Sequence, residues 1–344
     1  MTVLLLAAGD HFVLNHLLVD AVHAELPDGI DIRQLTLPWP VEPFGPVGEV
    51  DEASGSEDDL IEALHGVQIC VTQMAPLTRR VLHAAHDLKL VCVTRGGPVN
   101  VNIEAATERK IAVCSAPGRN AAATAEHTVA MILAVIRRIA STHMDLTGGL
   151  WRGDYYRYDS VGPELSGSIL GLVGFGAVGS RVAQLLRGFG ARILVHDPYV
   201  NQQQLGDVAE LTTLEDLLSR SNIVSLHARV TPQTTRMIGA VQLALMPPGS
   251  VIVNCARGAL LDYDAVCDAL DSRHLFGAAF DVFPQEPIPA GSRLLTTHNI
   301  VMTPHLAGAS KHTAANAARI AAGEVGRYLR GEPLCFCVNP EALD

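Results

Sequence analysis

Residues 168–179, Ser-Ile-Leu-Gly-Leu-Val-Gly-Phe-Gly-Ala-Val-Gly, constrain the fold more than any other stretch of the chain. A short apolar run enters a glycine turn. The turn opens into a helical pattern in which Val178, Val182, Leu185, Leu186 and Phe189 recur at three- and four-residue spacing. Strand, glycine turn and helix in that order form the local frame of a dinucleotide site. Gly174 allows the tight turn, Gly176 lets the backbone approach a pyrophosphate, and Gly179 lets the helix pack closely on the strand. The anion then meets unpaired N–H groups at the positive end of the helix dipole. A second apolar run, 191–196, follows the helix and ends in Asp197, near the ~20-residue spacing of an acid that binds the ribose 2′-OH. An acid there favours NAD, because it repels the 2′-phosphate of NADP. On these residues alone a glycine turn without a ligand stays open as the alternative.

The rest of the chain alternates strand-like and helix-like runs. Before the glycine turn, strands are expected at 2–8, 31–37, 67–72, 88–94 and 111–115, and helices at 11–26, 57–64 and 78–85. Pro27 and Gly29 stop the first helix, and 38–56 reads as a long irregular loop of the kind that often carries function. An apolar helical pattern over 122–139 is too apolar for a solvated surface, so it is expected to bridge two domains and to pack against another subunit. Strands at 169–173, 192–196, 223–227, 250–254, 277–281 and 300–303 then match a doubly wound nucleotide domain, and a last helix spans 313–329. The expected architecture is therefore α/β with two open domains. Residues 119–309, with the bridging helix, form a Rossmann NAD-binding domain. It is inserted into a flavodoxin-like substrate domain made of 1–118 and 310–344.

In open α/β sheets, ligands bind beyond the carboxyl ends of the strands. Those ends carry Asp197, then His227-Ala228-Arg229, then Asn254-Cys255-Ala256-Arg257-Gly258, then Asp281 and Glu286, then Thr303-Pro304-His305. The trio Arg257, Glu286 and His305 has a chemical logic. Oxidising an alcohol to a ketone needs a base for the hydroxyl proton, and histidine, the residue type at 305, is the usual choice for that role. Glu286 can hold the imidazole in one tautomer and stabilise its protonated form. Arg257 offers a planar fork of donors for a substrate carboxylate. Each has a plainer alternative: His305 a satisfied loop histidine, Glu286 a solvated turn residue, Arg257 a helix cap or a partner of Asp262.

Three segments, Asn254–Gly258 (NCARG), 281–287 (DVFPQEP) and 303–308 (TPHLAG), resemble the catalytic blocks of the D-isomer-specific 2-hydroxyacid dehydrogenases. The likeness continues through 167–179, His196-Asp197-Pro198 and 120–127, and covers most of 90–330. The resemblance implies that Arg257 binds the substrate carboxylate and that His305, paired with Glu286, is the acid/base. Ala177, Val178, Asp197, Cys255, Ala256, Asp281 and Gly308 match NAD-contacting positions, with Asp281 on the nicotinamide carboxamide, and His227, Ala228, Arg257 and His305 stand beside them. It also implies a homodimer formed through the long helix. Formate dehydrogenases share the pattern but carry glutamine where this chain has Glu286, which points away from formate. Related transcriptional corepressors keep the same trio, so an NAD-sensing binding protein is the competing reading.

The substrate loop departs from the family's usual glycine-rich pattern: it reads Thr94-Arg95-Gly96-Gly97-Pro98-Val99-Asn100. Gly96 and Gly97 are expected to offer backbone N–H groups to the substrate. Arg95 fits a second anionic group, a phosphate or another carboxylate, unless it pairs with an acid such as Glu126. Arg229 also departs from the family and is expected to reach the cofactor phosphates. Trp151, Arg152, Tyr155, Tyr156, Arg157 and Tyr158 line a cleft or an interface, or form a packed loop. No ACT-like regulatory module is expected after the last helix.

A net charge of −11 leaves no basic stripe for nucleic acid and no attraction to an anionic membrane. No signal peptide or membrane-spanning run is expected. Seven scattered cysteines fit a reducing cytoplasm, and the pair Cys335 and Cys337 offers too few ligands for a metal. The expected partner is a small 2-hydroxy or 2-keto acid.

Overall fold

The computed structural model describes residues 3–26, 29–40 and 45–343. Thr2 and Pro27, expected to start the first strand and to stop the first helix, lie outside the described residues, as do 41–44 of the long loop. The chain divides into two compact units. Unit 1 comprises Met1–Asn120 and Ala309–Asp344, and unit 2 comprises Ala121–Gly308.

Unit 1 runs β1 (Val3–Gly9), α1 (Asn15–Glu25), β2 (Ile30–Thr36), α2 (Glu57–Ala63), β3 (Ile69–Thr72), α3 (Arg79–Ala84), β4 (Leu90–Val93), α4 (Ile103–Glu108) and β5 (Ala112–Cys114). Its sheet is parallel, in the order β2-β1-β3-β4-β5, the flavodoxin-like order. Alternate residues of β1 feed opposite faces: Leu6 and Ala8 join one core cluster, Leu5 and Ala7 the other. Burial on both faces explains why these strands read as continuous apolar runs. Helix α1 starts four residues later than expected, at Asn15, because the Asp10 carboxylate first captures the N–H groups of Phe12 (2.7 Å) and Val13 (2.8 Å) in a local turn. Helix α4 was not expected. Asn102, which accepts from the Ala105 N–H at 3.0 Å, is its N-cap signal.

Unit 2 opens with α5 (Ala121–Ile136) and α6 (Ile139–Thr147). The single helix expected over 122–139 therefore breaks. Arg138 adopts a left-handed conformation (φ 53°, ψ 33°), and its guanidinium lies 4.8 Å from the Phe276 ring centroid and 5.9 Å from that of Tyr155. The unit continues as β6 (Ile169–Val173), α7 (Gly179–Arg187), β7 (Arg192–His196), α8 (Gln202–Leu205), β8 (Glu210–Leu211), α9 (Leu214–Arg220), β9 (Ile223–Leu226), α10 (Ala240–Leu245), β10 (Ser250–Asn254), α11 (Tyr263–Asp271), β11 (Leu275–Phe280) and β12 (Ile300–Met302). The seven-stranded parallel sheet has the order β12-β11-β10-β9-β6-β7-β8, a Rossmann arrangement with its switch point between β6 and β9. Met131, Ile132, Val135 and Ile136 of α5 pack with Val182 and Leu186 of α7 in one core cluster, whereas Leu185 and Phe189 of the α7 pattern are exposed.

The chain then returns to unit 1 as α12 (Lys311–Leu329), capped by the Ser310 hydroxyl on the Thr313 N–H at 3.0 Å. Its Ala314, Ala318, Ala321 and Val325 pack with the β1 side chains Leu5 and Ala7. No helix among the described residues is long and apolar enough to cross a membrane.

Candidate active site

The glycine turn leaves β6 at the switch point. Gly174 has φ +102°, and a Cβ there would stand 2.7 Å from the Ala228 nitrogen and the His227 carbonyl carbon. A Cβ on Gly179 would stand 2.2 Å from the Gly174 oxygen. Neither position accepts a side chain. Gly176 is different: a Cβ there meets nothing within 4 Å, and Gly176 and Ala177 are exposed. Among the described residues the N–H groups from Gly176 to Gly179 have no backbone acceptor, while Ser180 and Val182 already donate into the helix. Two glycines that close the turn, beside one that leaves open space over free N–H groups, fit a pyrophosphate.

Asp197, at the end of β7, accepts from the Phe175 N–H of the same turn (2.8 Å) through one oxygen and from the Tyr199 N–H (2.9 Å) through the other. Its carboxylate is thereby fixed beside the glycine turn. His227 packs behind the turn with its Nε2 3.0 Å from the Ser225 hydroxyl. Burial pulls this imidazole down to about 4, although the residue as a whole is only half-buried. It is therefore held neutral at pH 7. Ala228 is half-buried beside it, and Arg229 is exposed.

Beyond β10, the Asn254 side chain holds the next turn from inside. Its Nδ2 donates to the Arg257 carbonyl (2.9 Å), and its Oδ1 accepts from the Ala256 N–H (3.0 Å). Cys255 is buried and its thiol is pushed up to about 12 by that burial, so it serves as a small apolar side chain. Arg257 is exposed, with Nη1 donating to the Ala256 carbonyl at 2.7 Å. It is not the partner of Asp262, which pairs with Arg236 and caps α11 instead.

Beyond β11 and β12 the geometry tightens. His305 Nδ1 lies 2.7 Å from Glu286 Oε2, and Glu286 Oε1 accepts from the Phe283 N–H at 3.0 Å. This contact assigns the Nδ1 proton to the side facing the carboxylate, leaving Nε2 with no partner among the described residues. Burial pushes the Glu286 carboxyl up. The hydrogen bonds from His305 and Phe283 and the nearby Arg257 charge outweigh it and hold the group below its ordinary value. The two side chains are paired with each other while both residues stay exposed to solvent.

Asp281 is fully buried and spends both oxygens on the histidine loop. Oδ1 accepts from the Thr303 hydroxyl (2.6 Å) and the Leu306 N–H (2.7 Å), and Oδ2 accepts from the Ala307 N–H (2.8 Å). The Asp281 carbonyl also accepts from the His305 N–H at 2.9 Å. These bonds hold His305 at its left-handed φ of 54°, a costly conformation for a non-glycine residue. Gly308 follows, half-buried. Sequence reasoning missed one member of this cluster: His127 of α5, whose Nε2 lies 3.0 Å from the Thr303 hydroxyl. In the sequence it figured only as the last residue of the family-like stretch 120–127.

In unit 1, Gly96 and Gly97 are exposed, and a Cβ on either meets nothing within 4 Å. Arg95 pairs with Glu52 of the long loop and donates to the Glu52 carbonyl at 3.1 Å. Its acid is therefore Glu52 rather than Glu126. Trp151, Tyr156 and Tyr158 are exposed rather than packed. Tyr155 is held by Arg152, 4.6 Å from its ring centroid, and by Asp145, 2.8 Å from its hydroxyl.

The profile of the D-isomer specific 2-hydroxyacid dehydrogenase, NAD binding domain, matches residues 129–307. The chain is 35% identical to the D-3-phosphoglycerate dehydrogenase of Methanocaldococcus jannaschii over 290 residues, which are 83% of this chain and 54% of that protein. It is also 35% identical to the glyoxylate reductase of Korarchaeum cryptofilum, over 85% of this chain and 89% of that one. The NAD-dependent formate dehydrogenase of Staphylococcus aureus, solved in complex with NAD, superposes with a TM-score of 0.76 at 25% identity over 97% of this chain and 98% of that one. The chain belongs to the D-isomer-specific 2-hydroxyacid dehydrogenases, and unit 2 carries that family's NAD-binding domain. It spans about half the length of the phosphoglycerate dehydrogenases it matches.

Proposed function

We propose that this chain interconverts a D-2-hydroxy acid and its 2-keto acid with NAD. The observation that carries the reading is the 2.7 Å contact between His305 Nδ1 and Glu286, with Nε2 left open, in the unit that also carries the glycine turn. Bound NAD supplies or accepts the hydride. Glu286 orients the imidazole and stabilises its charged form, so that His305 Nε2 takes the hydroxyl proton in oxidation and returns it in reduction. Arg257 binds the substrate carboxylate as a fork and polarises the neighbouring C2 oxygen. Gly96 and Gly97 offer backbone N–H groups to the same carboxylate. Gly174, Gly176, Ala177, Val178 and Gly179 receive the pyrophosphate. Asp197 takes the ribose, which selects NAD over NADP. His227, Ala228, Cys255, Ala256, Asp281 and Gly308 line the cofactor's position, with the Asp281 carboxylate acting chiefly through the histidine loop it pins.

Residues 1–120 and 309–344 serve as the substrate domain in this reading. The exposed apolar surface of α6 and the following loop, with Met144, Leu146, Leu150 and Trp151 each more than half exposed, supports a homodimer formed there. Seven free cysteines support a cytoplasmic setting. The test is a panel of 2-keto acids with NADH followed at 340 nm, repeated with NADPH. Turnover faster with NADPH would overturn the role of Asp197. No turnover on any acid, with NADH binding intact, would replace catalysis by an NAD-sensing role.

A further inference from the structure

The switch point of unit 1 lies between β1 and β3, where ligands of such sheets bind. Register aligns Ala8 of β1 with Thr72 of β3, and Thr72 with Val93 of β4. Just beyond that edge stand Asp10, Gln73 and Thr94, which are 1%, 5% and 0% exposed. Each keeps a buried polar atom with no hydrogen-bond partner among the described residues: Asp10 Oδ2, Gln73 Oε1 and Thr94 Oγ1. The loop after β5 adds Arg119, whose carbonyl is pinned by Asn316 Nδ2 of α12 at 3.0 Å. The Arg119 guanidinium lies 5.8 Å from the Phe12 ring centroid, its Nη1 is buried without a partner, and it makes no ion pair among the described residues. Burial pulls Arg119 down to about 10; the neighbouring Arg95 charge adds to this, and Asp10 opposes it. A half-buried guanidinium without an acid costs stability. The other arginine at this edge, Arg95, already has Glu52.

Resting on the reading of the chain as a 2-hydroxyacid dehydrogenase, we propose that Arg119, rather than Arg95, binds a second anionic group on the substrate. The group is a distal carboxylate or phosphate, for which the guanidinium fork is suited. Asp10 does not compete for Arg119. Its Oδ1 is committed to the N–H groups of Phe12 and Val13, and burial pushes its carboxyl above the ordinary carboxylate value.

The test uses the whole chain with NADH and four keto acids. Oxaloacetate carries a distal carboxylate, 3-phosphohydroxypyruvate a distal phosphate, and glyoxylate and pyruvate neither. Arg119→Gln should lower kcat/KM for the favoured dianion, relative to glyoxylate, by about 30-fold, the loss expected of a charge-assisted hydrogen bond. Arg119→Lys should recover part of that ratio, and Arg95→Gln should change it less than Arg119→Gln does. Asp10→Asn, which keeps the Oδ1 acceptor and places a donor at Oδ2, should hold or raise the ratio. Which dianion responds identifies the carboxylate or the phosphate as the ligand. An unchanged ratio in Arg119→Gln, a loss carried by Arg95→Gln instead, or a wild type that prefers glyoxylate to both dianions overturns the proposal and leaves the dehydrogenase reading standing. If the wild type reduces no acid at all, the dehydrogenase reading fails. Arg119 is then judged on binding: D-3-phosphoglycerate or D-malate should raise the Tm of the wild type but not of Arg119→Gln, and an equal rise in both overturns it.

Discussion

The carboxyl edges of the two sheets treat their charges in opposite ways. In unit 2 the charges are committed within the protein. Asp281 has both oxygens on the 303–307 loop, and His305 is tied to Glu286. In unit 1 one nitrogen of the Arg119 guanidinium, Nη1, and the second oxygen of Asp10 are buried with no hydrogen-bond partner among the described residues. The first edge fixes its own geometry before any substrate arrives, as positioning a proton-transfer group requires. The second leaves donors and acceptors that a bound polar group would satisfy.

Three changes probe that contrast. The largest effect belongs to His305→Ala, which should lower kcat by ~10²–10⁴ while NADH binding, followed by fluorescence titration, is retained. Near-normal turnover would show that the committed edge is not the reacting one. Thr303→Val comes next. It conserves volume but removes the hydroxyl that joins His127 (3.0 Å) to Asp281 (2.6 Å). With one such link lost, we expect kcat to fall by about tenfold and KM for NADH to move little. An unchanged kcat would mean that Asp281 and the backbone suffice to hold the loop.

The smallest effect is on stability. His227 is pulled from 6.5 to about 4 by burial, so the fold favours its neutral ring and the unfolded chain binds the extra proton between those values. Its contribution is complete above pH 6.5 and is lost as pH falls toward 4. Urea midpoints at pH 7 and pH 5 should therefore differ more in the wild type than in His227→Gln. Equal differences would place the acid sensitivity elsewhere.

Much of this molecule was legible without coordinates. The glycine turn, the strands of both sheets apart from the short and unexpected β8 (Glu210–Leu211), and the residues at the strand ends follow from local chemistry: positive φ at Gly174, apolar runs for strands buried on both faces, and polar residues where those runs stop. The placement of Arg257, Glu286 and His305 beyond the ends of strands was legible for the same reason, because strand ends in such sheets converge on one edge.

What the chain by itself determined is therefore the set of elements and the chemistry at their ends. What only the tertiary structure decided is who pairs with whom. Glu52 reaches Arg95 from a loop the sequence left irregular, and Asp281 turns inward to brace the histidine loop. The long helix expected over 122–139 breaks where Arg138 meets the Phe276 ring, far along the chain. Arg119 makes no ion pair among the described residues, although acids are plentiful in the chain. The physical reason is one of range. Backbone preference and apolar periodicity act over a few residues and can be read in order. Pairing of charged side chains depends on distances across the sheet and between loops, and these exist only once the strands have taken their places.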